Sequence, residues 1–486
     1  MGKSSNRKKQ RRESNHSTIP EHKRQGKKLI PPFQQIEKLK KLSWSNDRLP
    51  ENIWVALIVS LHEREEAIHI IKQICEFFGR LKEEFRPNDL SISSIGALND
   101  DIFNRFLDFI ENKVGIMDTL KPLALFESIP AKDKWRNSLN IEDVSIEWEK
   151  LFITVAKCYD HQSQEATDCR WSKLYYYLIT GKLQLPTRDM VNQILNYPNV
   201  GDMRSVRPFI RSMEMTMDMM PDGKVIESDW KKQFWQQGLE DTQCWKLGIE
   251  LSQQKESKIN GENLENVKQG LKDHFYLTNK STDIDAKHDT IFGLVMYCLE
   301  IIEEMNSGEN NTSILSRMGL RTITECYITL AYLCHQDNAE MWQAYRVYGS
   351  GQAKLAFLKL EQIEQKPKYV DIDTLRSLAG EDQWEEFVEI NLGHWESTNL
   401  RKMSDTAGVK EDYNSFYDWT SGFAHGQWAA VRNTTYDTCG NPMHRLHRIP
   451  KEKSDLNDVT EDAKTLCNKM LDLMNSQYPD FSLRLT

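Results

Sequence analysis

The sequence has no apolar run long enough to cross a bilayer. The longest, IFGLVMYCLEII at Ile291–Ile302, is bounded by Asp289 and Glu303 and falls well short of the roughly 20 residues a spanning helix needs. It reads as a buried helix, and no membrane partner is expected. No secretory leader is visible, because the basic start is not followed by an apolar run. Cysteine is present in an odd number, nine, with no CxxC pair. Cys75, Cys158, Cys244, Cys298, Cys326 and Cys334 lie in apolar helical surroundings. They read as free thiols packed as small hydrophobes, which points to a reducing cytoplasm. Sustained strand alternation with hairpin turns is missing, and no repeat recurs at solenoid spacing. There is no strand-borne glycine-rich phosphate loop and no GxSxG elbow, so neither a dinucleotide fingerprint nor a serine hydrolase of that type is expected.

What is present describes a globular helical chain. Its 486 residues allow two to four domains and several cores. Charged residues make up 28% and hydrophobic residues 39%, ordinary values, and 13 Trp with 16 Tyr argue against general disorder. Charge is unevenly spread. Residues 1–29 hold ten Lys or Arg against two Glu, so the −9 of the whole chain leaves about −17 for the rest. An acidic body with a basic arm excludes a uniform nucleic-acid coat and confines such contacts to the arm or to a local cleft. Residues 1–28 are polar and aperiodic, and are expected to be disordered when free. Arg7, Lys8, Lys9, Arg11 and Arg12 are their candidate contacts to RNA or another nucleic acid; the alternative is a solubilising terminus.

Helical periodicity dominates the remainder. It predicts one long helix or two over Glu51–Leu81, then helices over Asp100–Val114, Asp143–Cys158, Trp171–Leu185, Arg188–Leu195 and Arg204–Met219. Val267–Leu277 is a connecting helix. His288–Glu304, Ser313–Leu333, Glu340–Leu360, Trp384–Leu392, Glu411–Val431 and Ala463–Asn475 then build an antiparallel helical bundle. The expected class is all-α. The expected division is a tail and lead-in over 1–42, an N-terminal helical domain over 43–252, a linker with a short helix over 253–287, and a C-terminal bundle over 288–486.

The best site candidate is YNSFYDWTSGFAH, Tyr413–His425. Tyr413, Tyr417, Ser421 and His425 recur every four residues, which on a helix makes a hydroxyl-rich stripe ending in an imidazole. Its partner row is Arg317, Arg321 and Glu325, also spaced by four, on a helix capped by Ser313 or Ser316. Read functionally, Arg321 clamps a phosphate and His425 is a general acid or base. Read structurally, the same residues are an Arg–Glu strut and a satisfied histidine. Tyr345, Arg346 and Tyr348 precede a GSG at 349–351 that either interrupts its helix or lets another segment cross closely; packing is the favoured role. Cys439, His444 and His447 form CxxxxHxxH in a turn made by Gly440, Asn441 and Pro442. A fourth ligand, Cys467 or His425, is not required by the spacing, so no metal and no cofactor are assigned. In the N-terminal half, Ser163, Thr167, Asp168, Arg170 and Trp171 lie close together, with Asp168 a helix cap or an arginine partner. Arg204, Arg207 and Arg211, followed by Glu214, make either a basic ridge or bridges between helices.

The segments RMGLRTITECYITLAYL, MWQAYRVYGSGQAKL and FYDWTSGFAHG resemble the bacterial family called domain of unknown function 5677. RLPENIWVALIVS, HQSQEATDCRW and the YP…MRSVRPFIRSME stretch resemble the longer proteins that carry that domain at their C-terminal end. The resemblance implies an all-helical bacterial cytoplasmic protein and brings no established activity. A looser likeness is to HEPN helical bundles, many of them metal-independent RNases of toxin and phage-defence systems, which carry Arg, four to six residues, then His. Arg64 with His69 and Arg11 with His16 match that spacing, as chance allows. In HEPN-like chemistry His425 would deprotonate a ribose 2′-hydroxyl and Arg321 would stabilise the pentavalent phosphate. Two readings therefore stand. One is a non-enzymatic scaffold or sensor in stress or phage defence, with a homodimer as one form of it and the stripe a polar network between helices. The other is an RNase-like effector with Arg321, Glu325, Tyr417, Ser421 and His425 at its site.

Overall fold

The structure, a computed structural model, describes residues 19–35, 43–219, 229–246, 258–282, 284–307, 311–380, 388–452, 454 and 456–486. The described residues are all-α apart from two short antiparallel ribbons, Lys23–Gln25 with Lys28–Ile30 and Tyr436–Thr438 with Arg448–Pro450. It divides into two compact units. One comprises residues 1–247 and 439–447, the other residues 248–438 and 448–486.

The first unit is built around Ile53–Leu61, of which eight residues are buried. A helix apolar on every side has no face to give to water and must sit at the centre. Val144–Tyr159 and Gln164–Ile179 pack against it, and Arg64–Gly79 and Met203–Met219 pack against Gln164–Ile179. The predicted 51–81 span is two helices. They are parted at His62, where the backbone turns extended, and Glu63 starts the next. Large aromatics fill the core, and four buried indole N–H groups find carbonyls: Trp44 to Cys158, Trp54 to Leu90, Trp171 to Ile194 and Trp230 to Pro50, at 2.7–3.2 Å. The ring delivers apolar area while its one donor is satisfied on the backbone.

The second unit centres on three mutually packed helices, Ala286–Ser307, Ile314–Gln336 and Thr460–Gln477. Their apolar faces meet in a core that includes Leu299, Ile328, Leu466 and Met470, all fully buried. Gly261–Thr278 packs on Ala286–Ser307 through Leu264, Val267 and Leu271 and is longer than the connecting helix expected there. Ala339–Glu361 runs unbroken through the GSG, which corrects one of the two expectations for it. The other is met. A Cβ on Gly351 would lie 2.4 Å from the Glu389 carbonyl oxygen, so glycine admits a crossing segment that a larger residue would push away. Of the expected Trp384–Leu392 helix, 384–387 lie outside the described residues and 388–392 are not helical.

The expected Glu411–Val431 helix is corrected most. Lys410–Asp412 leads into a π-helical turn at Tyr413–Tyr417, followed by Asp418–Ala424 and Trp428–Thr435. His425 ends the Asp418–Ala424 helix with φ −104° and ψ 7°, and Gly426 follows at φ +57°. The Gln427 N–H donates to the Gly422 carbonyl at 2.9 Å. A left-handed glycine after the cap with this long bond is a common way to stop a helix.

Candidate functional site

In the second unit the helix Ile314–Gln336 starts at Ser313, whose hydroxyl accepts the Ser316 N–H. Arg317 and Arg321 lie one turn apart and serve different ends. Arg317 is buried and donates to the backbone carbonyls of Asn311 and Asn457. Burial pushes its pKa below the usual guanidinium value, and Asp458 and Asp462 counter this. Arg321 donates to Glu325 at 2.9 Å and to the Tyr417 hydroxyl at 3.3 Å. Its guanidinium also lies 5.3 Å from the Tyr417 ring centre. Partial burial works against its charge, but Tyr417 and Glu325 outweigh this and hold its pKa above the usual value. Tyr417 stacks on Tyr413 at 4.8 Å. The polar seam runs on through Asp412, which takes a 2.7 Å ion pair from Lys469. Burial and Asp412 together raise the Tyr327 phenol.

Three of the five predicted site residues, Arg321, Glu325 and Tyr417, therefore meet. Ser421 and His425 do not join their hydrogen bonds. The four-residue spacing assumed α-helical turns throughout, and the π turn at Tyr413–Tyr417 inserts a longer one, which rotates everything after it. His425 is exposed at a helix end. Among the described residues its imidazole makes no hydrogen bond. Trp419 and Trp428, on either side of it in sequence, are exposed as well. Arg7, Lys8, Lys9, Arg11 and Arg12 lie outside the described residues. Of the two HEPN-type spacings, that of Arg11 and His16 falls there too. Arg64 in the other is held by Asp168 at 3.0 and 3.1 Å.

The first unit carries the denser charge. Ser163 caps Gln164–Ile179 by accepting the Ala166 N–H. Asp168, almost fully buried, accepts from Arg64 and from the Tyr197 hydroxyl at 2.5 Å, the arginine-partner role expected for it. Burial and this carboxylate raise the Tyr197 phenol. Beside this pair, Arg48 donates to Glu214 at 2.6 Å and Arg170 approaches the same carboxylate at 3.6 Å. Arg170 is 3% exposed and lies 4.5 Å from the Trp44 ring centre. Its Nε and Nη2 have no hydrogen-bond partner among the described residues. Burial drives its pKa down to about 10, with Arg48 and Arg211 adding to the fall and Glu214 opposing it. Arg207 donates to Gln164 and Arg211 to Thr167, so both reach neutral partners on the first turn of Gln164–Ile179. Burial and then Arg207 lower Arg211. His161, just ahead of this turn, is likewise lowered by burial and by Arg170. Arg204 stands apart, exposed and paired to Asp202. Arg207 and Arg211 thus bridge helices, and Arg170 with Arg48 forms the buried part of the same group. The sequence named most of these residues but gave no signal for Arg48, which enters from the preceding π-helical turn Trp44–Arg48.

Residues 288–438 match the model of a family of unknown function, DUF5677. The match covers the helices that carry the Arg321–Tyr417 seam and none of the first unit's arginines. No curated protein and no solved structure matches the chain.

Proposed function

We propose that this chain, with its DUF5677-type segment, is a non-enzymatic sensor or scaffold of the reducing cytoplasm, and that the first unit receives a phosphate-bearing anion at its arginine group. The observation that carries the reading is the charge imbalance around Glu214. Arg48 and Arg170 share one buried carboxylate, Arg207 and Arg211 stand beside them on neutral partners, and two Arg170 nitrogens, Nε and Nη2, have no hydrogen-bond partner among the described residues. A buried cation that lacks bonds is costly, and an anion at a helix N-terminus supplies both charge and acceptors. The non-enzymatic part is supported by the seam, where Arg321 is committed to Glu325 and Tyr417 while His425 lies outside their network. None of the nine cysteines is paired in a disulfide, which supports the compartment.

Inorganic phosphate, a nucleoside triphosphate and a short single-stranded RNA, each titrated against the full chain by calorimetry and thermal melting, separate the sources of the anion. Ligand at about 100 times its dissociation constant should add about 2.7 kcal/mol of stability. Arg211→Ala, at a half-buried position, should weaken binding at least tenfold. No stabilisation by any of the three sinks the reading. The RNase alternative retains one supporting observation: exposed Trp419 and Trp428 near His425 offer faces on which unpaired bases stack. Total RNA incubated with the full chain and with His425→Ala tests it; cleavage lost only in the variant would establish that reading in place of ours.

A further inference from the structure

We propose that Cys244, Cys439, His444 and His447 hold a structural zinc ion. The four donor atoms lie within 4.8 Å of one another, and all four residues belong to the first unit. The separations fit one ion. His444 Nδ1 is 3.3 Å from Cys439 Sγ and 3.5 Å from Cys244 Sγ, and His447 Nδ1 is 3.5 Å from Cys244 Sγ. Zn–S bonds of about 2.3 Å and Zn–N bonds of about 2.0 Å at tetrahedral angles give S···N edges of about 3.5 Å. Two sulfurs and two nitrogens in that arrangement suit zinc above oxygen-seeking cations. Four protein ligands fill the coordination shell, so the ion is structural and has no open position for a reacting water.

The surroundings are those a metal site needs. The His444 tautomer follows from the hydrogen bonds around Thr242. The threonine hydroxyl gives its only proton to the Gly238 carbonyl at 2.6 Å. Its oxygen therefore accepts from His444 Nε2 at 2.9 Å, which puts the ring proton on Nε2 and leaves the Nδ1 lone pair facing the sulfurs. Cys439 Sγ accepts the backbone N–H groups of Trp245 at 3.3 Å and Asn441 at 3.4 Å, bonds that favour a thiolate. The turn is fixed by Asn441, whose side-chain Oδ1 takes the Met443 N–H, and by the Cys439 N–H on the His447 carbonyl. Met443 is fully buried in the first unit's core against Gly238.

The expected candidates for the fourth ligand, Cys467 and His425, are thereby replaced. Cys467 is fully buried in the second unit's core and His425 is exposed at a helix end. Cys244 lies 200 positions before His444, beyond the reach of any spacing motif. The competing fate of the two thiols is a disulfide, which would leave both imidazoles without a task.

The test is metal analysis of the full chain purified under reducing conditions without chelator. About one zinc per chain is expected. Cobalt supplied to the metal-stripped, reduced protein should give the intense visible bands of a tetrahedral thiolate site. Thr242→Val removes no ligand atom, only the hydroxyl that holds the His444 ring, and should lower zinc affinity about 10–100-fold. Cys244→Ser, at an exposed position, should lower both zinc content and the thermal midpoint. Protein that folds without zinc and takes up no cobalt overturns the proposal, and so does a Cys244–Cys439 disulfide found by peptide mapping.

Discussion

The two units build their arginine–carboxylate pairs in different ways. In the second, the Arg321 pair is local. Its carboxylate is four residues away on the same helix, partly exposed, and its third partner is a tyrosine ring. In the first, partners come from far along the chain. Arg48 and Glu214 are 166 positions apart, and Arg64 and Asp168 are 104 apart. Two arginines there converge on one carboxylate, and two more reach only neutral oxygens. A local exposed pair stabilises little and is easily replaced. A buried group assembled from distant segments is costly to leave incomplete, because loss of one partner strands a charge in low dielectric. Only the second kind of arrangement gains much from a bound anion.

The comparison can be broken most decisively at Glu214. Glu214→Gln should destabilise the chain by about 3–5 kcal/mol, since it strands Arg48 and Arg170; urea unfolding measures this. A loss under 1 kcal/mol would place the cluster in effective contact with water and remove the contrast. Asp168→Asn, which weakens the bidentate bond to Arg64 and the bond from Tyr197, should cost about 1–3 kcal/mol by the same measurement. Glu325→Gln in the seam should cost only about 0–1 kcal/mol. An equal loss at positions 214 and 325 would mean that the two regions are energetically alike.

A subtler check is the titration of His161. Burial and the arginine field hold its pKa below the ordinary 6.5. As pH falls past 6.5, the folded state therefore stays neutral where the unfolded chain takes up a proton, and stability decreases. This contribution is fully present above 6.5 and is lost between 6.5 and the lowered folded value. Phosphate bound beside Arg170 would offset the arginine repulsion and move the His161 titration upward, readable by imidazole NMR shifts. A titration unmoved by saturating phosphate places the anion elsewhere. The smallest effect is expected at His425→Ala, within about 0.5 kcal/mol of wild type. A larger loss of thermal stability would return His425 to the seam.

Much of the helical framework was legible because amphipathic spacing is a local property. The Arg188–Leu195 helix was expected at its observed limits, and the Ser313 cap was readable from the residue type and the periodic run after it. Arg321 and Glu325 were legible as a pair for the same reason, whereas their meeting with Tyr417, 96 positions on, is a product of tertiary packing. His425 was misplaced because the insertion of a π turn leaves no strong mark in sequence, although Gly426 directly after the histidine was a readable stop signal. Cys244 and Arg48 were hidden for another reason. Their partners come from tertiary packing, and no periodicity encodes a neighbour that far away.

The indole bonds of the first unit have an optical consequence. Trp44, Trp54, Trp171 and Trp230 are buried with their N–H groups on carbonyls, whereas Trp419 and Trp428 of the second unit face solvent. Shielded indoles emit at shorter wavelength than solvated ones, so the native emission of the first unit should be blue and that of the exposed pair already red. Loss of the first unit should move the spectrum strongly; loss of the second, where Trp342 is the fully buried indole among the described residues, should move it less. The chain therefore carries its own spectroscopic label, and a denaturation curve followed by emission wavelength, set beside one followed by helix content, would resolve the melting of one unit from that of the other without any dye or mutation.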